Sequence, residues 1–235
     1  MPCLRNSPCC RRNGRRRGGG ARKRGTSAWR EAPAVLDRLR RSRPRCRYGM
    51  PFSEEDDVLR GEVLRRLGAL GLPSAEHCII VSIDQQKLWF LGPGLRREWK
   101  VSTARAGVGQ TEGSNRTPLG LHRVKEKVGD GARKGAVFRA RVDTGELWTD
   151  RPENPDNLIT TRILRLDGLE EGFNRGVDAR GEVVDTFRRY VYIHGTNQHA
   201  ALGSPNSHGC VLLSDDAVLE LYDLTPVGTP VLLRL

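Results

Sequence analysis

From residue 78 onward the chain is a succession of short apolar or alternating runs, each cut off by turn-forming residues. The runs are "CIIVSI" (78–83), "KLWFL" (87–91), "EWKVST" (98–103), "LHRVKEKV" (121–128), "AVFRARV" (136–142), "LITTRILRL" (158–166), "RYVYI" (189–193) and the closing "PVLLRL" (230–235). Between them stand "GPG", "GVGQTEGSNRTPLG", "RPENPDN" and "EEGFNRG". Few of these runs are long enough for a stable helix, and they are rich in Val, Ile, Tyr, Trp and Thr. The spacing therefore predicts a mainly β domain, a β-sandwich or barrel, with a few short helices. Two segments break the rule. Ser53 with Asp56 three residues on is a capping box, and Leu59, Val63, Leu67 and Leu70 follow at helical spacing, so an amphipathic helix is predicted over 54–70. "SDDAVLELYDL" (214–224) predicts a second, with Ser214 as its cap.

Charge divides the chain. Residues 1–48 carry 16 basic and two acidic residues; the remainder carries 24 basic and 26 acidic. The +12 formal charge thus belongs to a tail, and the body is nearly neutral. That weighs against nucleic acid as the main partner of the folded part. The reading is a basic Arg/Gly-rich tail over 1–49, helix and linker over 50–75, and one β domain over 76–235. The tail cannot bury a core. Met50 stands where the composition shifts and is read as the natural start, the tail being upstream sequence. A working electrostatic arm is the competing reading. Neither an 18-residue apolar span nor the apolar stretch of a secretory signal is visible, which by itself suggests a cytoplasmic protein.

One constellation carries chemistry. "YVYIHGTNQHAALGSPNSHGC" places His194, His199, His208 and Cys210 close together in sequence. His194 ends a strand, and Cys210 follows a glycine, Gly209, in a Ser207-His208-Gly209-Cys210 turn. A thiol near an imidazole is the minimum for acyl transfer. The thiolate attacks, the imidazole handles the proton, and backbone N–H groups of the turn, Gly209 and Cys210 foremost, face the developing oxyanion. A main-chain carbonyl in the Gly195-Thr196 turn could orient the histidine. Each residue also has a plain reading. Cys210 before "VLL" could be a small buried hydrophobe, His199 a loop residue, His122 a strand-face residue and Cys78 a core residue. Metal ligation by the three histidines and Cys210 is weakly supported, because H-x₄-H and H-x-C are not zinc spacings. A non-catalytic wall-binding or nucleic-acid-binding module is the alternative outside enzymes.

"HGT" followed by "SHGCV" resembles the active-site pattern of the YkuD-type L,D-transpeptidases. "IIVSIDQQKLWFL", "VSTARAGVGQTEGSNRTPLG", "ILRLDG" and "DLTPVGTPVLL" look like the same domain in order. The resemblance implies a YkuD-like β fold and cysteine acyl transfer on peptidoglycan stem peptides. Cys210 would be the nucleophile and His194 the base and proton donor, with Ser207, His208, Gly209, Gly195 and Thr196 shaping the oxyanion site and cleft. A stem tetrapeptide would lose its terminal D-Ala, and the acyl group would pass to an acceptor amine as a 3→3 cross-link. With water as acceptor the same fold would be an L,D-carboxypeptidase acting on muropeptides. The resemblance implies no metal or organic cofactor, acylation of Cys210 by carbapenems, and a periplasmic or cell-envelope setting. One position departs. Many members carry Arg or Asn two residues after the cysteine, where this chain has Leu212; Leu212→Arg is expected to be tolerated and to be able to raise turnover.

Overall fold

The structure is a computed structural model that describes residues 53–150 and 153–235. The readings of the basic tail and of Met50 lie outside the described residues. Ten strands and two α-helices are described. They are α1 (Glu54–Ala69), β1 (Cys78–Ser82), β2 (Lys87–Gly92), β3 (Leu95–Lys100), β4 (Gly120–Val128), β5 (Ala136–Arg139), β6 (Val142–Leu147), β7 (Ile159–Gly168), β8 (Tyr192–Gly195), β9 (Val211–Leu213), α2 (Asp215–Leu224) and β10 (Pro230–Arg234). All ten strands join one curled sheet in the order β3-β2-β1-β10-β4-β7-β5-β6, with β8 paired to β7 and β9 to β8. The chain is mainly β, as its pattern of short runs requires.

The sheet is covered on both faces where β1 runs. Ile79 and Val81 share a core with Leu164, Leu166, Ile193, Val211, Leu213 and the α2 residues Val218 and Leu221. Cys78 and Ile80 point the other way, against Leu59, Val63 and Leu67 of α1. That two-sided burial is why "CIIVS" does not alternate. Each fully buried aliphatic side chain contributes roughly 1.5–3 kcal/mol. Burial pushes the Cys78 thiol up to about 11, the behaviour of a core residue.

α1 begins at the expected box: Ser53 Oγ accepts from Asp56 N–H at 3.1 Å, and Asp56 Oδ2 accepts from Ser53 N–H at 2.7 Å. Its Asp56 also holds Arg96 Nε at 2.8 Å on β3, tying helix to sheet. α2 is capped by Ser214, whose Oγ accepts from Ala217 N–H at 3.2 Å.

The structure differs from the sequence reading in four places. β3 starts at Leu95 rather than 98, because Pro93-Gly94, with Gly94 at φ 65°, closes a two-residue turn directly. The run expected over 136–142 is split. Ala140 and Arg141 both take left-handed backbone, φ 46° and 70°, and β6 returns beside β5. β8 starts at Tyr192 because Tyr190 is left-handed, φ 56°. "VLL" after Cys210 is a strand of its own, β9, parallel to β8.

Candidate active site

The site grows from the β8–β9 pair. Their register sets Ile193 beside Val211, His194 beside Leu212 and Gly195 beside Leu213. Ile193, Val211 and Leu213 fill the main core. Alternation therefore sends His194 and Leu212 to the opposite face. Tyr192 and Cys210 lie on that face too, packed with Ile163 and Phe138. His194 is thus the diagonal neighbour of Cys210 across two adjacent strands.

The imidazole is nearly sealed, 3% exposed. Its Nδ1 lies 2.7 Å from Gly195 O. A carbonyl only accepts, so Nδ1 carries the proton and Nε2 keeps its lone pair. Nε2 has no partner among the described residues. Burial holds this ring well below the ordinary range, at about 4, so it is neutral at pH 7. Gly195 is required at its place: a Cβ there would come within 2.7 Å of Thr160 O on β7. The acceptor sought in the Gly195-Thr196 turn is Gly195 O.

Cys210 is half-buried. Its Sγ accepts from Tyr192 N–H at 3.4 Å and donates to Tyr190 O at 3.6 Å. Burial pushes the thiol up to about 11; the Tyr192 N–H and the nearby Arg189 charge pull it down less strongly. Both partners of the pair therefore rest uncharged. The pair holds one thiol proton and one vacant imidazole lone pair, the two groups a proton transfer concerted with attack uses.

The turn before the cysteine is pinned from within and without. Ser207 Oγ donates to Cys210 O at 2.6 Å and accepts from Gly209 N–H at 3.1 Å. Thr117 Oγ1 donates to Gly209 O at 3.1 Å, and Ser207 N–H donates to Thr103 O at 2.9 Å. Gly209 sits at φ 133°, a backbone that only glycine adopts without strain. This corrects one expectation. The Gly209 amide, expected to face the oxyanion, is taken up by Ser207. The turn amides without a partner among the described residues are those of His208 and Cys210.

Cys210 opens on a cavity of about 290 Å³ whose wall includes Glu112, Asn115, Arg189, Tyr190 and the exposed His208. A second cavity of about 330 Å³, with Arg105 and Ser207, shares Asn115 and His208 with it. Sequence reasoning missed Arg189, although "RRY" directly precedes the site strand. Its guanidinium donates to Gly109 O at 3.1 Å, Gln110 O at 2.7 Å and Arg116 O at 2.6 Å. It staples the 109–116 loop over the cysteine and leaves a positive charge beside the sulfur.

The remaining expected residues stand apart. Thr196 is buried, its hydroxyl donating to Asn157 Oδ1 at 3.1 Å and accepting from Gln198 N–H at 3.1 Å; it lines neither cavity. His199 lies in a short 3-10 turn against the edge of Trp148, with Asp215 Oδ2 at 3.6 Å. His122 is buried between Gly120 O at 3.0 Å and Thr186 Oγ1 at 3.1 Å. No group of three His, Cys, Asp or Glu side chains able to hold a metal occurs among the described residues. No helix among them is long and apolar enough to cross a membrane.

Comparison with known proteins adds to this geometry. A family model described as the L,D-transpeptidase catalytic domain, YkuD, matches residues 76–233. The Salmonella typhimurium protein named "Probable L,D-transpeptidase ErfK/SrfK" is 26% identical over 166 residues, 65% of this chain and 42% of that protein. The Escherichia coli protein named "Probable L,D-transpeptidase YcfS" is 28% identical over 164 residues, 68% of this chain and 45% of that protein. The chain spans less than half the length of the curated relatives it matches. Among solved structures, L,D-transpeptidase 3 from Mycobacterium tuberculosis, in complex with a faropenem-derived adduct, aligns with TM-score 0.43 at 16% identity, covering 68% of this chain and 60% of that one.

Proposed function

Since the chain belongs to the YkuD family of L,D-transpeptidase catalytic domains, we propose that it is a cysteine acyltransferase acting on peptidoglycan stem peptides. The observation that carries this reading is the histidine tautomer. Gly195 O fixes the His194 proton on Nδ1, and Nε2 is left as the base on the sheet face that also bears Cys210.

In the proposed reaction the donor is a stem tetrapeptide whose third-residue carbonyl enters above Cys210. The thiol turns from Tyr190 O toward His194 and gives its proton to Nε2 as sulfur attacks. The carbonyl oxygen gains the negative charge and takes the Cys210 and His208 amides as donors. The adduct collapses, the C–N bond breaks, and the D-Ala amine leaves with the proton returned by His194. What remains is a thioester and a neutral imidazole. An acceptor amine then gives a proton to Nε2 and attacks the thioester; the new amide is the 3→3 cross-link and the thiol is restored. Water in the same place yields the tripeptide acid. A carbapenem presents a strained lactam carbonyl to the same sulfur and is expected to acylate it.

Incubation of the protein with disaccharide-tetrapeptide, read by mass spectrometry, tests the proposal. Cross-linked dimers identify transpeptidation, and tripeptide alone identifies carboxypeptidation. Cys210→Ala should abolish both. Turnover equal in the wild type and Cys210→Ala, or absent from both, overturns the proposal.

A further inference from the structure

The β5–β6 hairpin closes through two residues, Ala140 and Arg141, both in the left-handed region at φ 46° and 70°. Two-residue hairpins of this kind are ordinarily built from Gly, Asn or Asp, because a Cβ is strained there. Neither residue here is one of these, and strain kept in a short turn calls for a reason in what the turn presents.

It presents a guanidinium. Arg141 Nη1 donates to Tyr192 OH at 3.1 Å, and its charge lies 5.1 Å from the centroid of the Tyr190 ring. These are the tyrosines whose main chains hold the Cys210 sulfur, so Arg141 stands a tyrosine's length from the nucleophile. Several other cations of the region are neutralised, although Arg105 on the second cavity is not, its guanidinium donating to Asn206 Oδ1. Arg165 pairs with Glu126, Arg188 with Glu112 at 3.3 Å, and Arg123 with Asp167 at 2.8 Å. Arg141 has no carboxylate within ion-pair distance among the described residues, Glu126 attracting it only from farther off, and it spends one of its five N–H donors. Arg189, an unneutralised arginine at the cysteine, has its terminal nitrogens occupied by loop acceptors. Arg141 alone of the two retains a fork of donors, the geometry that fits a carboxylate.

We infer that Arg141 is a specificity-determining residue that binds a free carboxylate of the acyl donor. The inference rests on the proposed acyl transfer at Cys210. Two carboxylates of such a donor are candidates: the terminal one on the leaving residue, and one at the end of the third residue's side chain.

The test reads binding separately from chemistry. Dissociation constants are measured on Cys210→Ala for four synthetic tetrapeptides, ending as acid or amide, with lysine or a diamino diacid third. The peptide bearing the recognised carboxylate should bind about tenfold more tightly than its partner lacking it. Acid over amide identifies the leaving residue; diacid over lysine identifies the third. Adding Arg141→Gln or Arg141→Gly should erase that ratio and leave the weaker peptide unchanged. A ratio that survives both variants, or no ratio in the parent, overturns the inference. Turnover of the same peptides by the Cys210 protein reports on the proposed reaction independently.

Discussion

Leu212 stands beside His194 in the parallel β8–β9 pair, on the same face of the sheet, and is 1% exposed. The residue where many family members carry Arg or Asn is therefore part of the apolar wall that keeps the imidazole neutral. This bears directly on the expectation that Leu212→Arg is tolerated. A guanidinium at this place would be taken out of water, since Leu212 is buried beside a buried ring. It should cost about 2–4 kcal/mol by urea unfolding. Leu212→Asn should fold and bring a dipole to the ring, raising the histidine from about 4 toward its ordinary value. The acid limb of the rate profile should move to higher pH. An unchanged limb in a folded Asn variant would show that Leu212 does not set the basicity of His194.

The resting pair is neutral, and thiol chemistry can show it. With the thiol near 11, alkylation of Cys210 by iodoacetamide should be slow at pH 7. It should climb about tenfold per pH unit over several units. A resting thiolate–imidazolium pair would instead give a plateau from acid pH. Measurement by mass spectrometry between pH 5 and 10 distinguishes the two.

His194 and His122 share a linkage to stability. Burial lowers each from 6.5 to about 4. Between those values the unfolded chain binds protons that the folded chain refuses, so stability is full above about pH 6.5 and falls as pH drops toward 4. Each ring contributes on the order of 3 kcal/mol to that loss. Replacing His122 with Gln should flatten the decline of the denaturation midpoint over this window by about half. An unchanged slope would mean that His122 does not titrate with unfolding.

Ser207 is the clamp of the turn that ends in Cys210. Ser207→Ala leaves the buried Gly209 amide without its acceptor and Cys210 O without its donor, for a stability loss of about 1–3 kcal/mol. The freed turn should misplace the Cys210 amide as well. Turnover is expected to fall roughly 10- to 100-fold, while iodoacetamide labelling of Cys210 at pH 9 falls far less. Equal losses in both would assign Ser207 to the thiol itself rather than to the transition state.

Much of the framework is legible in local pattern. The runs from "CIIVSI" to "PVLLRL" announce a mainly β domain because alternation and turn residues are properties of neighbours in the chain. Ser53 with Asp56 and Ser214 mark helix starts for the same reason. His194 at the end of "YVYI" and Cys210 behind Gly209 are chemically conspicuous residues at rigid places, so they stand out without coordinates. Only the tertiary structure decides who meets whom. The β8–β9 register puts Leu212 beside His194, the backbones of Tyr190 and Tyr192 engage the thiol, and Ser207 rather than substrate occupies the Gly209 amide. Arg141 falls inside "AVFRARV", a run that predicts a strand, because a left-handed turn without glycine leaves no local mark. Its position over Tyr190 follows from strand pairing across distant parts of the chain, and so do the burial that neutralises His194 and Cys210 and the charge that Arg189 brings to them. Local sequence fixes conformational preference. Desolvation and the spending of backbone donors are set by contacts between segments, which the order of residues does not state.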